Sequence, residues 1–291
     1  MTMTAMRSDT VRAETVGAEL VGAELVGAEL VGADIVGLLR RRRRLKKLAS
    51  AEAAIDCNAV YVTTEADETV SICYMQEYFS EIVIEGESVE IGSGELTYTF
   101  SEAGGHDVRI VLADGATTLY YAFYNCTALY SLDASSWDVS SVTTMQSMFH
   151  SCSSLTTLDA SAWDTSSVTT MQSMLLQCLN LTAITGSLDV SAATDIGGLT
   201  RYDTNLYTLS LTNLGAQETV ATEYAFNSTI WGTGEDDTSR QSLIDTLITN
   251  SFDRATAGYD ALAITLSSAS YAVLTEDEIA EATAKGFTIA V

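Results

Sequence analysis

Between residues 117 and 215 the apolar positions recur with a period of 26. Leu132, Trp137, Val142, Met145 and Met148 return as Leu158, Trp163, Val168, Met171 and Met174. The frame extends backward, where Leu119, Phe123, Cys126 and Leu129 match Met145, Phe149, Cys152 and Leu155. It extends forward through Leu175, Cys178, Leu181 and Ile184, and a degenerate copy covers residues 196–211. Within one unit Val142, Met145, Phe149, Cys152 and Leu155 fall at steps of three and four, the spacing of one helical face. Leu155-x-x-Leu158-Asp159 then reads as a short strand, and the Asp, Ser and Trp residues as its turn. Each unit is thus predicted as one strand plus one helical turn. Alone it would leave its apolar side wet; stacked on its neighbours it buries a continuous ladder of Leu, Met, Phe and Cys.

Upstream, residues 59–112 read as β. Val60-Tyr-Val62, Val70-Ser-Ile72, Ile82-Val-Ile84, Val89-Glu-Ile91 and residues 108–112 alternate or cluster β-branched side chains between turn signals. Downstream, Ile264-Thr-Leu266 and Phe287-Thr-Ile289 read as strands about one unit apart. Between them Thr275-Glu-Asp-Glu278 is a capping box, and Lys285-Gly286 supplies the cation and the left-handed residue that end its helix.

The first 50 residues follow another rule. Val16-Gly-Ala-Glu-Leu20 is the first of four tandem copies, the last being Val31-Gly-Ala-Asp-Ile35. A five-residue step gives neither a helix nor a strand one clean apolar stripe, and four such units cannot bury a core. The tract reads either as a segment ordered by a partner or by self-association, or as a frayed helix left by tandem duplication. Glu19, Glu24, Glu29 and Asp34 exclude an ordinary membrane span. Arg40, Arg41, Arg42, Arg43, Arg44, Lys46 and Lys47 follow. This run reads as an anchor to an acidic surface, or as solvated cations at a helix C-terminus.

Charge sharpens that contrast. The formal net charge is −25, yet nine of the 14 basic residues precede Leu48, which leaves five against 33 acidic ones in the body. Such a body repels nucleic acid and anionic lipid. Pro is absent, so no proline-pinned turn or linker exists. The five cysteines (Cys57, Cys73, Cys126, Cys152, Cys178) are odd in number and include no CxxC, which argues against a disulfide framework and a structural zinc site. Residues 1–13 hold no apolar h-region, so no secretory signal peptide is expected.

Candidate chemistry repeats with the units. Asp133, Asp138, Asp159 and Asp164 allow two readings: carboxylate rows for Ca²⁺, or side chains that close their own turns. Trp137 and Trp163 allow an exposed strip that grips sugar faces, or packing that seals an edge. Cys126, Cys152 and Cys178 read as core packing. HExxH, GxSxG, Walker A and Rossmann fingerprints are absent, and Gly232-Thr-Gly234 is a lone GxG. Of the two histidines, His106 has Arg109 nearby in sequence but neither it nor His150 has a nucleophile placed with it. No enzymatic activity and no cofactor are expected.

The motif Leu132-Asp-Ala-Ser-Ser-Trp-Asp-Val-Ser-Ser-Val-Thr-Thr-Met-Gln-Ser-Met148 and its copy resemble the 26-residue repeats of BspA-like leucine-rich-repeat surface proteins. The likeness is close over residues 119–184 and fades towards Leu211. Residues 239–289 look like the closing section of similar repeat proteins in gut bacteria and their phages, and residues 96–110 are similar to the closing hairpin of PKD-type β-sandwiches. The resemblance implies an α+β fold: a leucine-rich-repeat-like solenoid preceded by a small β-sandwich-like domain and an N-terminal repeat and basic anchor segment. The expected divisions are 1–50 (anchor), 51–116 (small β domain), 117–215 (repeats) and 216–291 (degenerate repeats and cap). It implies display and adhesion without catalysis. A phage virion surface component, fibre or decoration protein, is expected first, and a bacterial cell-surface adhesin second; a carbohydrate-active enzyme is the third reading. Partners are then capsid or tail proteins at the N-terminus, a host surface glycan or protein at the repeats, and further copies of the chain, with a trimer as the fibre-like form.

Overall fold

In the computed structural model of this protein the described residues are 58–222, 225–226 and 237–291, with side chains from 240 onward in the last stretch. The five-residue repeats and the basic run lie outside them. The first half yields β1 (Ala59–Thr63), β2 (Glu68–Cys73), β3 (Phe79–Ile84), β4 (Glu87–Val89), β5 (Leu96–Phe100) and β6 (Gly104–Leu112). Each 26-residue unit then contributes one short strand: β7 (Leu129–Asp133), β8 (Thr157–Asp159) and β9 (Ala183–Thr185). Seven of these strands form one mixed sheet in the order β4-β3-β6-β1-β7-β8-β9.

The junction lies at β1, which pairs antiparallel with both β6 and β7. From β7 onward the pairing is parallel, with Leu132 opposite Leu158 and Leu158 opposite Ile184. Residues 26 apart therefore stand one above the other. A second column of parallel bridges runs Thr118, Thr144, Thr170, Asp195 and Ala221.

The expected α+β arrangement, a leucine-rich-repeat-like solenoid behind a β-sandwich-like domain, is not what forms. The described residues make a mostly β molecule with few helices, and the upstream strands share one sheet with the units. β5 and β6 make no hairpin either: β5 pairs with β2, while β6 lies between β3 and β1.

The helical turn of each unit also fails to appear. Val142, Met145, Phe149, Cys152 and Leu155 are all 0 % exposed, so the three-and-four spacing does mark the buried side. The backbone, however, is a succession of four-residue turns. Met148 and Cys152 N–H groups donate three residues back, to Met145 and Phe149. Ser147, Phe149 and Ser151 donate instead to the next unit, at Gln172, Met174 and Leu176. Left-handed residues at Ser147 (φ 54°) and Ser151 (φ 64°) make that alternation possible. A chain of four-residue turns buries the same three-and-four pattern as a helix, and it frees alternate amides to bond between units.

Beyond β9 the repeat contracts. β10 (Leu188–Asp189) and β11 (Leu211–Thr212) pair in parallel only 23 residues apart. The closing region holds α1 (Asp237–Ile244), a π-turn (Asp245–Thr249), α2 (Arg254–Ala257), β12 (Leu262–Thr265), α3 (Ser268–Ala272), α4 (Glu276–Ala284) and β13 (Phe287–Ala290). β12 and β13 pair in parallel. The capping box at α4 is formed: Glu278 N–H donates to Thr275 Oγ1 at 3.2 Å, and Thr275 N–H to Glu278 Oε2 at 2.8 Å. Arg254 is buried (2 % exposed), and its guanidinium donates to the carbonyls of Gly215, Gln217, Glu218 and Asp260. That fan of bonds ties the closing region to the last unit, since a buried cation needs every donor satisfied. One apolar core runs from Ala59 to Phe287.

Candidate functional site

Each unit bends twice between successive strands, and the two bends hold different chemistry. The first is the Asp/Ser/Trp corner. Asp133 Oδ1 accepts from the Ser135 amide at 3.1 Å and its hydroxyl at 2.6 Å. Asp138 does the same with Ser140 at 3.0 and 2.7 Å, and Asp164 with Ser166 at 3.1 and 2.6 Å. Asp159 accepts the Ser161 amide at 3.0 Å. These carboxylates close their own turns, as the second sequence reading has it. The Ser140 and Ser166 bonds hold the Asp138 and Asp164 carboxyls below the usual carboxylate range. Among the described residues no group of three or more His, Cys, Asp or Glu side chains is arranged to hold a metal ion.

Trp137 and Trp163 do not form an exposed strip. They are 4 % and 6 % exposed and pack into the edge of the core. Trp163 Nε1 donates to Ala134 O of the preceding unit at 2.8 Å. Trp137 stands in the first unit, where no earlier corner offers that carbonyl, and its Nε1 has no partner among the described residues. An open cavity of about 440 Å³ lies beside it, lined by Asn58, Arg109, Asp114, Asp133, Trp137 and Asp138 among others. Three expected binding residues thus share one cavity with the end of β6, while Asp159, Trp163 and Asp164 belong to the next corner. Arg109 is 3.0 Å from Glu81. His106 is stacked on Phe100 at 3.8 Å and lies 2.9 Å from Thr63 Oγ1, a structural placement.

The second bend holds a candidate site that the sequence does not single out. In the first unit it carries Tyr120, Tyr121 and Tyr124. Tyr121 and Tyr124 rings lie 4.8 Å apart, and Tyr74, from the end of β2, meets them at 6.2 and 5.4 Å. Tyr74 is held there by its amide, which donates to Ala122 O at 2.8 Å. One unit along, His150 lies under Tyr124 at 5.0 Å. Beneath Tyr120 stand Gln146 and Gln172, joined amide to amide at 3.0 Å, and Ser151 reaches Gln177 at 3.2 Å. All the rings and the Gln146 and Gln172 amides are half-buried. Residues 116–132, 139–158 and 165–188 contain no Asp, Glu, Lys or Arg. Burial lowers the His150 pKa, against a smaller opposing bond to Gln177. The signal for this face was present in the sequence as Tyr120, Gln146 and Gln172 at one repeat position, but only stacking shows that they adjoin Tyr74.

The interior under this bend is a cysteine column. Cys152 and Cys178 thiols donate to Phe123 O at 3.0 Å and Phe149 O at 3.1 Å. Cys73, Cys126, Cys152 and Cys178 are free and buried, and burial pushes their thiols up, Cys126 to about 12. Such thiols are poor nucleophiles. Asp203 occupies the next place in the column. Its Oδ1 accepts the Cys178 amide at 2.7 Å, its Oδ2 has no partner among the described residues, and burial raises its carboxyl to about 8.

Fold and site together define a protein of stacked 26-residue units closed at one end by an antiparallel sheet. Residues 114–230 match a family described as "Mycoplasma protein of unknown function, DUF285". No curated protein and no solved structure matches the chain. The matched stretch contains the units that resemble BspA-like surface proteins, so that resemblance stands at the level of a surface repeat family, without its leucine-rich-repeat assignment. Among the described residues no helix is long and apolar enough to cross a membrane.

Proposed function

We propose that this protein is a non-enzymatic recognition component displayed on a surface, docked through its basic N-terminal segment and presenting its stacked units to a ligand. The carrying observation is the division of chemistry along those units. The corner carboxylates are used up in local turns, whereas the second bend leaves uncharged hydrogen-bonding and aromatic groups at the surface. The segregated run Arg40–Lys47 supports electrostatic docking to an acidic partner. A phage particle is the setting we favour, with capsid or tail proteins as docking partners and further copies of the chain beside it. A bacterial cell envelope is the alternative.

Co-purification separates the settings, since the chain should travel with virions in the first and with envelope in the second. Deletion of residues 1–47 should abolish attachment while leaving the thermal melt of the remainder unchanged. A truncated protein that still attaches, or an attachment insensitive to salt, contradicts docking through this segment.

A further inference from the structure

The second bend of the units carries a cost that folding does not require. Tyr121 is left-handed, with φ 58°, a conformation that is a genuine outlier for a bulky side chain. The same place is taken by Ser147, Ser173 and Gly198 in the following units, also left-handed. Small residues therefore suffice to build the bend, and the aromatic at the first unit calls for a role outside it. Tyr74 comes from a different part of the chain and completes the same cluster.

From these residues we infer that Tyr74, Tyr121, Tyr124, His150, Gln146 and Gln172 form a binding surface for a neutral glycan. The inference rests on the proposed recognition role and names its ligand class. Three features select that class. The three units contribute no ionised side chain to the face, in a chain of net charge −25, so their rows offer no charge to an anionic sugar, a phosphate backbone or a basic peptide. Its polar groups are paired side-chain amides and phenolic hydroxyls, which both donate and accept, as the vicinal hydroxyls of a sugar do. Its apolar groups are tyrosine rings, which contact the C–H faces of a pyranose while keeping the hydroxyl wet. Parallel neighbours repeat at about 4.8 Å, so Tyr120, Gln146 and Gln172 form a linear track suited to an extended chain of sugars.

The test is affinity electrophoresis of the full chain in gels containing dextran, a β-glucan, mannan or galactan, with heparin as the anionic comparison. At least one neutral polysaccharide should retard the protein, and added salt should not relieve the retardation. Tyr124→Ala should weaken it roughly tenfold and Gln146→Ala about threefold, while Glu87→Gln on β4 should not change it. Should Tyr124→Ala fail to fold, Gln146→Ala and Gln172→Ala still decide, because these amides are not part of the core. Retardation by none of the four neutral polymers, by heparin alone, or equally in wild type and glutamine variants overturns the assignment. A chain that co-purifies with particles but ignores every polysaccharide overturns this site and leaves display standing. A chain that is retarded but attaches to no particle or envelope does the reverse.

Discussion

The two bends of one unit teach different lessons about how a repeat uses polar residues. In the corner, a carboxylate bonds two residues ahead, at Asp138–Ser140 and Asp164–Ser166, and the turn is finished locally. In the second bend the groups bond one unit ahead, as in Gln146–Gln172 and Ser147–Gln172, so each unit is completed by its neighbour. Local closure consumes polar groups. Closure between units aligns them in rows and leaves their outer edges available. This is why the acidic residues that recur most visibly are spent on their own turns, while the uncharged rows keep an outer edge at the surface.

Four tests would break or sharpen that comparison. The largest effect is expected at Gly186, where the third corner tightens. It has φ +97°, and a Cβ there would sit 2.6 Å from Ser161 Cα and 2.8 Å from Ala160 O. Backbone atoms cannot yield as a side chain can, so Gly186→Ala should cost about 3 kcal/mol or more in urea unfolding. A near-neutral result would mean that the corners are not packed as tightly as described.

The two tryptophans come next. Trp163→Phe loses a buried N–H···O bond to Ala134, whereas Trp137→Phe removes a donor that has no partner. Trp163→Phe should therefore be the more destabilising by about 1–2 kcal/mol. Equal losses would show that the first corner satisfies its indole after all.

Asp203 tests the interior of the second bend through pH. Its folded carboxyl titrates at about 8, far above an unfolded Asp. The unfolded chain releases that proton first, so the stability this group contributes is complete below pH ~4 and is lost as pH rises towards 8. Asp203→Asn should flatten the fall in melting temperature across that window and raise it at neutral pH. An unchanged slope would place the pH dependence elsewhere.

The smallest effects belong to Asp138→Ala and Asp164→Ala. Both carboxyls are held low by their serines, so their contribution is present above the unfolded pKa and lost as acid protonates them. The variants should melt slightly lower at pH 7 and converge with wild type in acid. A large loss at pH 7 would give these exposed corners more than local turn closure.

The stacking of the units was legible because the period is long and strict, although the fold class was not. Leu132 and Leu158, or Cys126, Cys152 and Cys178, recur at 26 and do stand in register or in one buried column. The local conformation was less legible. Steps of three and four suit a helix and a chain of four-residue turns alike, and what decides between them is whether amides bond within the unit or to its neighbour. The corner tryptophans were ambiguous for a similar reason: a repeated aromatic suits an exposed strip as well as an edge seal, and burial at 4 % and 6 % could be seen only with the neighbouring corner in place.

The sequence by itself determined the unit, its length, the residues that fill its interior and the separation of charge between body and basic run, because each is a matter of which side chain recurs where. The tertiary structure alone decided that β1 joins the antiparallel strands to the first unit in one sheet, and that Tyr74 completes an aromatic cluster with Tyr121 and Tyr124. Both depend on pairing between segments far apart in the chain. Backbone hydrogen bonds of that kind carry no side-chain signature, so no pattern along the sequence announces them.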